Sequence, residues 1–181
     1  RRRPAAGKGR DRMTDALTVV RPLEVTPSML VSSSVPETDY PAWDAGTTYA
    51  NGERVIVAAK HKVYQSTADA NTGNDPTAPV SIKWVEVGMT NRWKPFDKSV
   101  STQAQQADSI SYRLKPGSAI TSVNMLNLTG ATSVRVRVVT PDDVTRYDKT
   151  VNTRRTPVEV GWWAWFFGDR RMPTQVLLQD L

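Results

Sequence analysis

The chain has 181 residues, 39% apolar and 23% charged, the composition of a folded protein with room for one ordinary domain or two small ones. It has no cysteine and one histidine, His61, which excludes disulfide frameworks, thiolate-held metals, thiol nucleophiles and paired-histidine sites. The net charge is +6, but residues 1–12 hold six basic residues against one acidic, so the other 18 basic and 17 acidic residues leave the body nearly neutral. No apolar run approaches the roughly 20 residues of a membrane span, and the basic opening lacks the apolar centre of a secretory signal. These absences put binding or structural roles ahead of catalysis, with no cofactor and no metal expected.

Residues 1–12 (RRRPAAGKGRDR) carry no core-forming side chain and read as a basic arm. Arg1, Arg2, Arg3, Arg10 and Arg12 are therefore candidate subunit contacts, aimed at an acidic protein surface or nucleic acid. The plainer reading is an unstructured extension, or translated sequence ahead of a start at Met13. Residues 14–42 scatter Leu17, Val19, Val20, Leu23 and Val25 among Pro, Ser and Thr. Thr26-Pro27 predicts a single helical turn over 28–31, and 32–36 (SSSVP) reads as a linker. Such a segment cannot bury its own backbone polar groups and is expected to lie along a neighbouring sheet or chain. Residues 1–41 are thus assigned as arm and linker.

Residues 42–89 are predicted to form a small three-stranded unit. Asn51-Gly52 is a turn signal ahead of the β-branched strand 54–57, 59–62 is a polar turn into strand 63–66, and 71–76 is loop by composition. A third strand, 84–87, is expected to end at Gly88. So short a unit has a marginal core, which Trp43, Tyr49, Tyr64 and Trp84 must largely fill.

Residues 90–181 read as a second all-β region. Ile110, Tyr112 and Leu114 alternate with polar neighbours, and 134–138 (VRVRV) is a half-buried strand with valines inward and arginines outward. The apolar phase slips between Met125 and Leu126, which predicts a bulge or a change of face. Residues 158–167, with Trp162, Trp163 and Trp165, load both faces as a doubly covered strand would. Consecutive Trp162 and Trp163 point to opposite faces, so they are candidate subunit-interface residues. Short strands at near-regular spacing predict a jelly-roll-like β-sandwich. The sequence closes on the strand 175–178, so the sheet is expected to be finished by further sequence or another chain. The expected fold class is all-β: an extended arm, the small aromatic unit and the sandwich.

In 42–87 the order Ala42-Trp43, Tyr49, Gly52, Val55, Tyr64, Gly73 with Pro76, and Trp84 resembles the small chitin-binding modules of the carbohydrate-binding 5/12 type. That resemblance implies Trp43, Tyr49, Tyr64 and Trp84 as candidate glycan-stacking residues. Chitin-binding members usually follow the second Tyr with Ala-Lys-Trp-Trp, whereas this chain continues Gln65-Ser66-Thr67-Ala68. The sugar-stacking indoles are missing, so core packing is the stronger reading of the four aromatics. More widely, residues 17–181, with TPSML, SSSVPETDYPAWDAGTTYANGERVI, Thr90-Asn91-Arg92-Trp93 and Phe96-Asp97 ahead of a β-rich region, are similar to phage tail-associated virion proteins. This implies a virion-located structural subunit whose partners are other virion proteins, with a homo-oligomer inside a larger assembly.

The remaining candidates have plain readings. His61 lies between two lysines and is expected to be solvated; Trp93 is expected to join the two β regions, with cation–π packing on Arg92. Asp142-Asp143 reads as a turn, Asn71, Asn74 and Asp75 fit no calcium-loop spacing, and the sequon Asn127-Leu128-Thr129 reads as chance. Arg135, Arg137, Arg146, Arg154 and Arg155 interleave with Asp142, Asp143, Asp148 and Glu159, a mixed-charge face and not a nucleic-acid surface. The leading expectation is a bacteriophage tail protein that docks on other subunits and is no enzyme. The alternative is a module that binds host-surface glycan or chitin. Neither involves a membrane. Nucleic-acid binding through the arm is a third reading, and it predicts affinity that falls steeply with salt.

Overall fold

The computed structural model describes residues 22–153, 175–179 and 181. Among them strands dominate, and every helical segment is a single 3-10 turn, so the all-β class holds. The chain enters through the turn Pro27–Met29, where proline at the first position suits a backbone that has no use for its N–H. It passes directly into β1 (Leu30–Ser33).

The aromatic unit is built on one turn. Gly52 takes φ +88°, and its N–H reaches Ser66 O at 2.8 Å, while Glu53 accepts the Ala50 N–H at 2.8 Å. This launches β3 (Arg54–Val57), which pairs antiparallel with β4 (Lys62–Ser66) in the register Val55↔Tyr64 and Val57↔Lys62. Between them the turn Ala58–Lys60 ends at His61, which adopts the left-handed conformation at φ 55°. β6 (Trp84–Met89) lies on the far side of β4, giving the order β3-β4-β6. The third strand was expected to end at Gly88, but it runs on to Met89. A bulge falls between the Val63↔Gly88 and Tyr64↔Glu86 pairs, and glycine at φ +153° carries the strand through it. Two short strands, β2 (Thr48–Tyr49) and β5 (Asn71–Thr72), pair beside this sheet. The outer edge of β3 is covered by residues 41–43, through Ile56 N–H to Pro41 O (2.9 Å) and Trp43 N–H to Ile56 O (3.0 Å).

The core of this unit is Tyr49, Val55, Tyr64 and Trp84, with Trp43 and Val57 packed against it. Apart from Trp43 Nε1, the buried side-chain polar groups there find partners within the unit, as burial requires. Asn71 donates to Ser66 Oγ (3.0 Å) and Lys83 O (3.1 Å) and accepts from Asn74 (2.7 Å). Asp75 accepts from the backbone N–H and then the hydroxyl of Thr77, which holds its carboxyl below the usual carboxylate range. Asn71 Oδ1 and Asp75 Oδ1 are thus spent on shaping their own loop.

The reading of 32–36 as a linker is corrected. Ser32 and Ser33 pair with Arg113 and Tyr112 of β7 (Tyr112–Leu114), and Val35 is fully buried. Polar composition hid the Ser32-Ser33 half of this strand, and Leu30 and Val31, expected in a helical turn over 28–31, begin the strand after the turn Pro27–Met29. β8 (Ser122–Met125) stops where the phase slip was expected, with Asn127 in the left-handed region at φ 54°. β9 (Ser133–Val139) and β10 (Thr145–Asn152) form a hairpin whose valines and arginines alternate as the period-2 pattern predicts. Its turn includes Asp143 at φ 58°, as expected for Asp142-Asp143, and Arg135 pairs with Asp148 at 2.8 Å. The strand β11 (Val176–Gln179) pairs on one side with β8, from Val176↔Met125 to Gln179↔Ser122, and among the described residues its other side has no partner. Val176 and Leu178 are buried while Leu177 is exposed, the alternation of a strand with one covered face.

Candidate functional site

Two loop segments without an apolar pattern, 35–40 (VPETDY) and 90–94 (TNRWK), meet where the aromatic unit joins the rest. Hydrogen bonds over long sequence separation hold them. The Glu37 carboxylate, whose side chain is 10% exposed, receives His61 Nδ1 at 2.9 Å and the Thr90 hydroxyl at 2.9 Å, with Arg92 Nη1 at 3.5 Å. A carboxylate oxygen only accepts, so Nδ1 is the nitrogen of His61 that carries the proton in this pair. Arg92 Nε donates to Val35 O (2.8 Å), Thr90 N–H to His61 O (2.9 Å) and Asn91 N–H to Asp39 Oδ2 (2.5 Å). Three segments of the chain, residues 35–39, the β3–β4 turn and the stretch after β6, are thereby tied at one carboxylate.

An aromatic ladder runs through the same place. The His61 ring stacks on Trp93 at 4.3 Å and 26°; Trp93 meets Phe96 edge-on at 5.8 Å, and Phe96 meets Tyr112 edge-on at 5.4 Å. Tyr112 in turn donates its hydroxyl to Arg92 O (3.0 Å). Such edge and offset contacts add about 0.5–1.5 kcal/mol per pair beyond area burial. Trp93 joins the two β regions as expected, although through His61 and Phe96 and with no cation–π contact on Arg92 among the described residues. The expectation of a solvated His61 is corrected: Lys60 is exposed and Lys62 pairs with Glu86, while the ring between them is held by Glu37 and Trp93.

The stacking candidates are placed elsewhere. Tyr49, Tyr64 and Trp84 are 7%, 7% and 5% exposed, which leaves no ring face for a sugar. Their polar atoms are engaged or enclosed as well. Tyr49 Oη accepts the Asp44 N–H (2.8 Å), Trp84 Nε1 donates to Asn74 O (2.9 Å), and burial pushes the Tyr64 hydroxyl above its ordinary value. Trp43 is half-buried against the same core, its Nε1 enclosed and without a partner among the described residues. The physical reason is size: a unit this small must spend its large aromatics on its interior. The interface candidates Arg1, Arg2, Arg3, Arg10, Arg12, Trp162 and Trp163 lie outside the described residues.

Two further features were not foreseen. One is an open cleft of about 350 Å³ beside the Glu37 junction, walled by Thr38, Asp39, Tyr40, Asn91, Lys94 and Gln105. The other is an apolar margin on the aromatic unit. β6 is an edge strand with no partner on its outer side among the described residues, and Val85 and Val87 on it are exposed. The approach to that strand adds Val80 (83% exposed) and Ile82 (84%). The spacing of these four residues was visible in the sequence, but edge position depends on strand order, which has no local signature. Among the described residues no group of acidic and histidine side chains is placed to hold a metal ion, and no helix is long and apolar enough to cross a membrane. Comparison with protein-family models, with curated proteins and with solved structures finds no match to this chain.

Proposed function

We propose that this chain is a structural subunit of a bacteriophage tail, located in the virion, that works by docking on other subunits and performs no covalent chemistry. The observation that carries this reading is the open margin of β6, whose outer side has no strand partner among the described residues and whose neighbourhood exposes Val80, Ile82, Val85 and Val87. Residues 41–43 cover the edge of β3, whereas β6, although it carries Glu86 and the bulge at Gly88, has no covering segment among the described residues. Left open, the edge is a template for strand addition, with main-chain hydrogen bonds for affinity and side chains for selection. The pattern from TPSML to Phe96-Asp97, similar to tail-associated virion proteins, and the basic residues of 1–12 support the same reading. The partner is another virion subunit, a second copy of the chain being the simplest.

The test is light scattering over a concentration series, alone and mixed with the products of neighbouring genes, on the wild type and on a Val85→Lys, Val87→Lys double variant. Both side chains are exposed, so the variant should fold normally. Association in the wild type that weakens at least about tenfold in the variant supports docking through this edge. A wild type that stays monomeric in every mixture, or a variant that associates equally well, removes it. Neighbouring genes that encode no tail or portal components would remove the tail assignment.

A further inference from the structure

The segments that clamp Glu37 also wall the 350 Å³ cleft, and we propose that this cleft binds a neutral, hydroxyl-rich ligand of about one sugar ring. The site is separate from the β6 edge, and the inference stands or falls independently of the docking reading. It is also separate from the buried aromatics Tyr49, Tyr64 and Trp84.

The first argument is order. Asp39 Oδ2 accepts the Asn91 N–H (2.5 Å), and the Asn91 side chain grips Gln105 like one rung of a sheet, accepting its N–H (2.8 Å) and donating to its carbonyl (2.7 Å). Fully buried Val35 anchors the 36–40 wall from below, and Thr90 anchors the opposite wall through Glu37. The walls are therefore fixed before any ligand arrives, which lowers the entropy cost of binding.

The second argument is unspent polar capacity. Among the described residues the Thr38 hydroxyl, Asp39 Oδ1, the Lys94 ammonium and the Gln105 side-chain amide make no hydrogen bond or ion pair, and these four residues all line the cleft, Thr38 and Gln105 at its exposed rim. They comprise an acceptor, a donor and two groups that do both. Neighbouring sugar hydroxyls, each donor and acceptor, match such a set. The third argument is charge: one carboxylate and one ammonium cancel, so neither an anion nor a cation is favoured over a neutral ligand. Tyr40 adds an aromatic wall, held by the Arg54 guanidinium 5.7 Å from its ring centre and by a hydrogen bond from Arg54 to its hydroxyl (3.0 Å). The volume sits near the lower end of the roughly 300–1,000 Å³ of small-ligand sites, which fits one ring and not a long chain.

The experiment is an amide-resolved NMR titration of the full chain with D-glucose, D-galactose and N-acetyl-D-glucosamine, with glycine and inorganic phosphate as charged comparators. Saturable shifts at Asp39, Asn91 and Gln105 are expected for at least one sugar, with a dissociation constant of about 1 mM. Lys94→Met and Gln105→Ala, whose side chains hold nothing else in the described fold, should each weaken it about fivefold or more while amides elsewhere stay in place. No saturable shift with any sugar, undiminished binding in both variants, or tighter binding of glycine or phosphate at the same amides would each overturn the assignment.

Discussion

Glu37→Ala is the substitution expected to cost most for its size. It strips the acceptor from the hydroxyl of fully buried Thr90 and from His61, and it takes the partner from Arg92. Leaving a buried donor unpaired costs about 1–3 kcal/mol, and His61 and Arg92, which are partly exposed, recover some loss from water, so a fall of about 2–3 kcal/mol in unfolding free energy is expected. Chemical denaturation checks it, and a change below about 0.5 kcal/mol would show the junction to be idle. Tyr112 gives a pH-dependent expectation. Burial raises its hydroxyl above the ordinary tyrosine value, and burial does the same for Tyr64; Lys62 is raised by its hydrogen bond to Glu86. A folded-state value above the unfolded one means that stability is complete below about pH 10 and is lost as pH rises through the raised values. Thermal midpoints should therefore fall on the alkaline side, and Tyr112→Phe should flatten that decline although it forfeits the bond to Arg92 O. An equally steep decline in the variant would assign the effect to the other two groups.

At the scale of elements, the β3–β4 pair depends on how the chain enters it. Gly52 holds φ +88°, and an added Cβ there would meet nothing within 4 Å. Gly52→Ala therefore isolates backbone strain from clash and should destabilise by about 1–2 kcal/mol, measurable as a lowered denaturation midpoint with an unchanged slope. Neutrality would mean that the turn relaxes to another type. The elements legible in the sequence were those with a local cause: the Asn51-Gly52 turn, the β-branched 54–57, the valine–arginine alternation of β9. β1 was not legible, since Ser32 and Ser33 carry no apolar face and their pairing is read only from the partner strand. The Glu37 junction was invisible for the same reason: Glu37 lies 24 residues from His61 and 53 from Thr90, and no periodicity spans such distances. His61 between two lysines even carried a misleading signal, because its left-handed backbone turns the ring away from its neighbours' environment.

Across the whole molecule, composition set the class and the aromatic pattern located one unit, but the joints between parts are made by single side chains. Trp93 touches His61 on one side and Phe96 on the other, and Phe96 passes the contact to Tyr112 on β7. The cleft and the open β6 margin are likewise products of assembly, since their residues come together only after the order β3-β4-β6 is set and the 90–94 segment has folded back. The Leu30↔Leu114 pairing has a consequence for biosynthesis. At ribosomal speeds of about 5–20 residues per second, Leu114, 84 positions after Leu30, emerges roughly 4–17 s later. Throughout that interval the leading strand has no mate, and the module downstream of it, which ends at Met89, completes on the nascent chain before Leu114 appears. Ser32 and Ser33 keep half of the leading strand hydrated during the wait, so only Leu30 and Val31 offer a passing polypeptide an apolar grip before its own mate arrives.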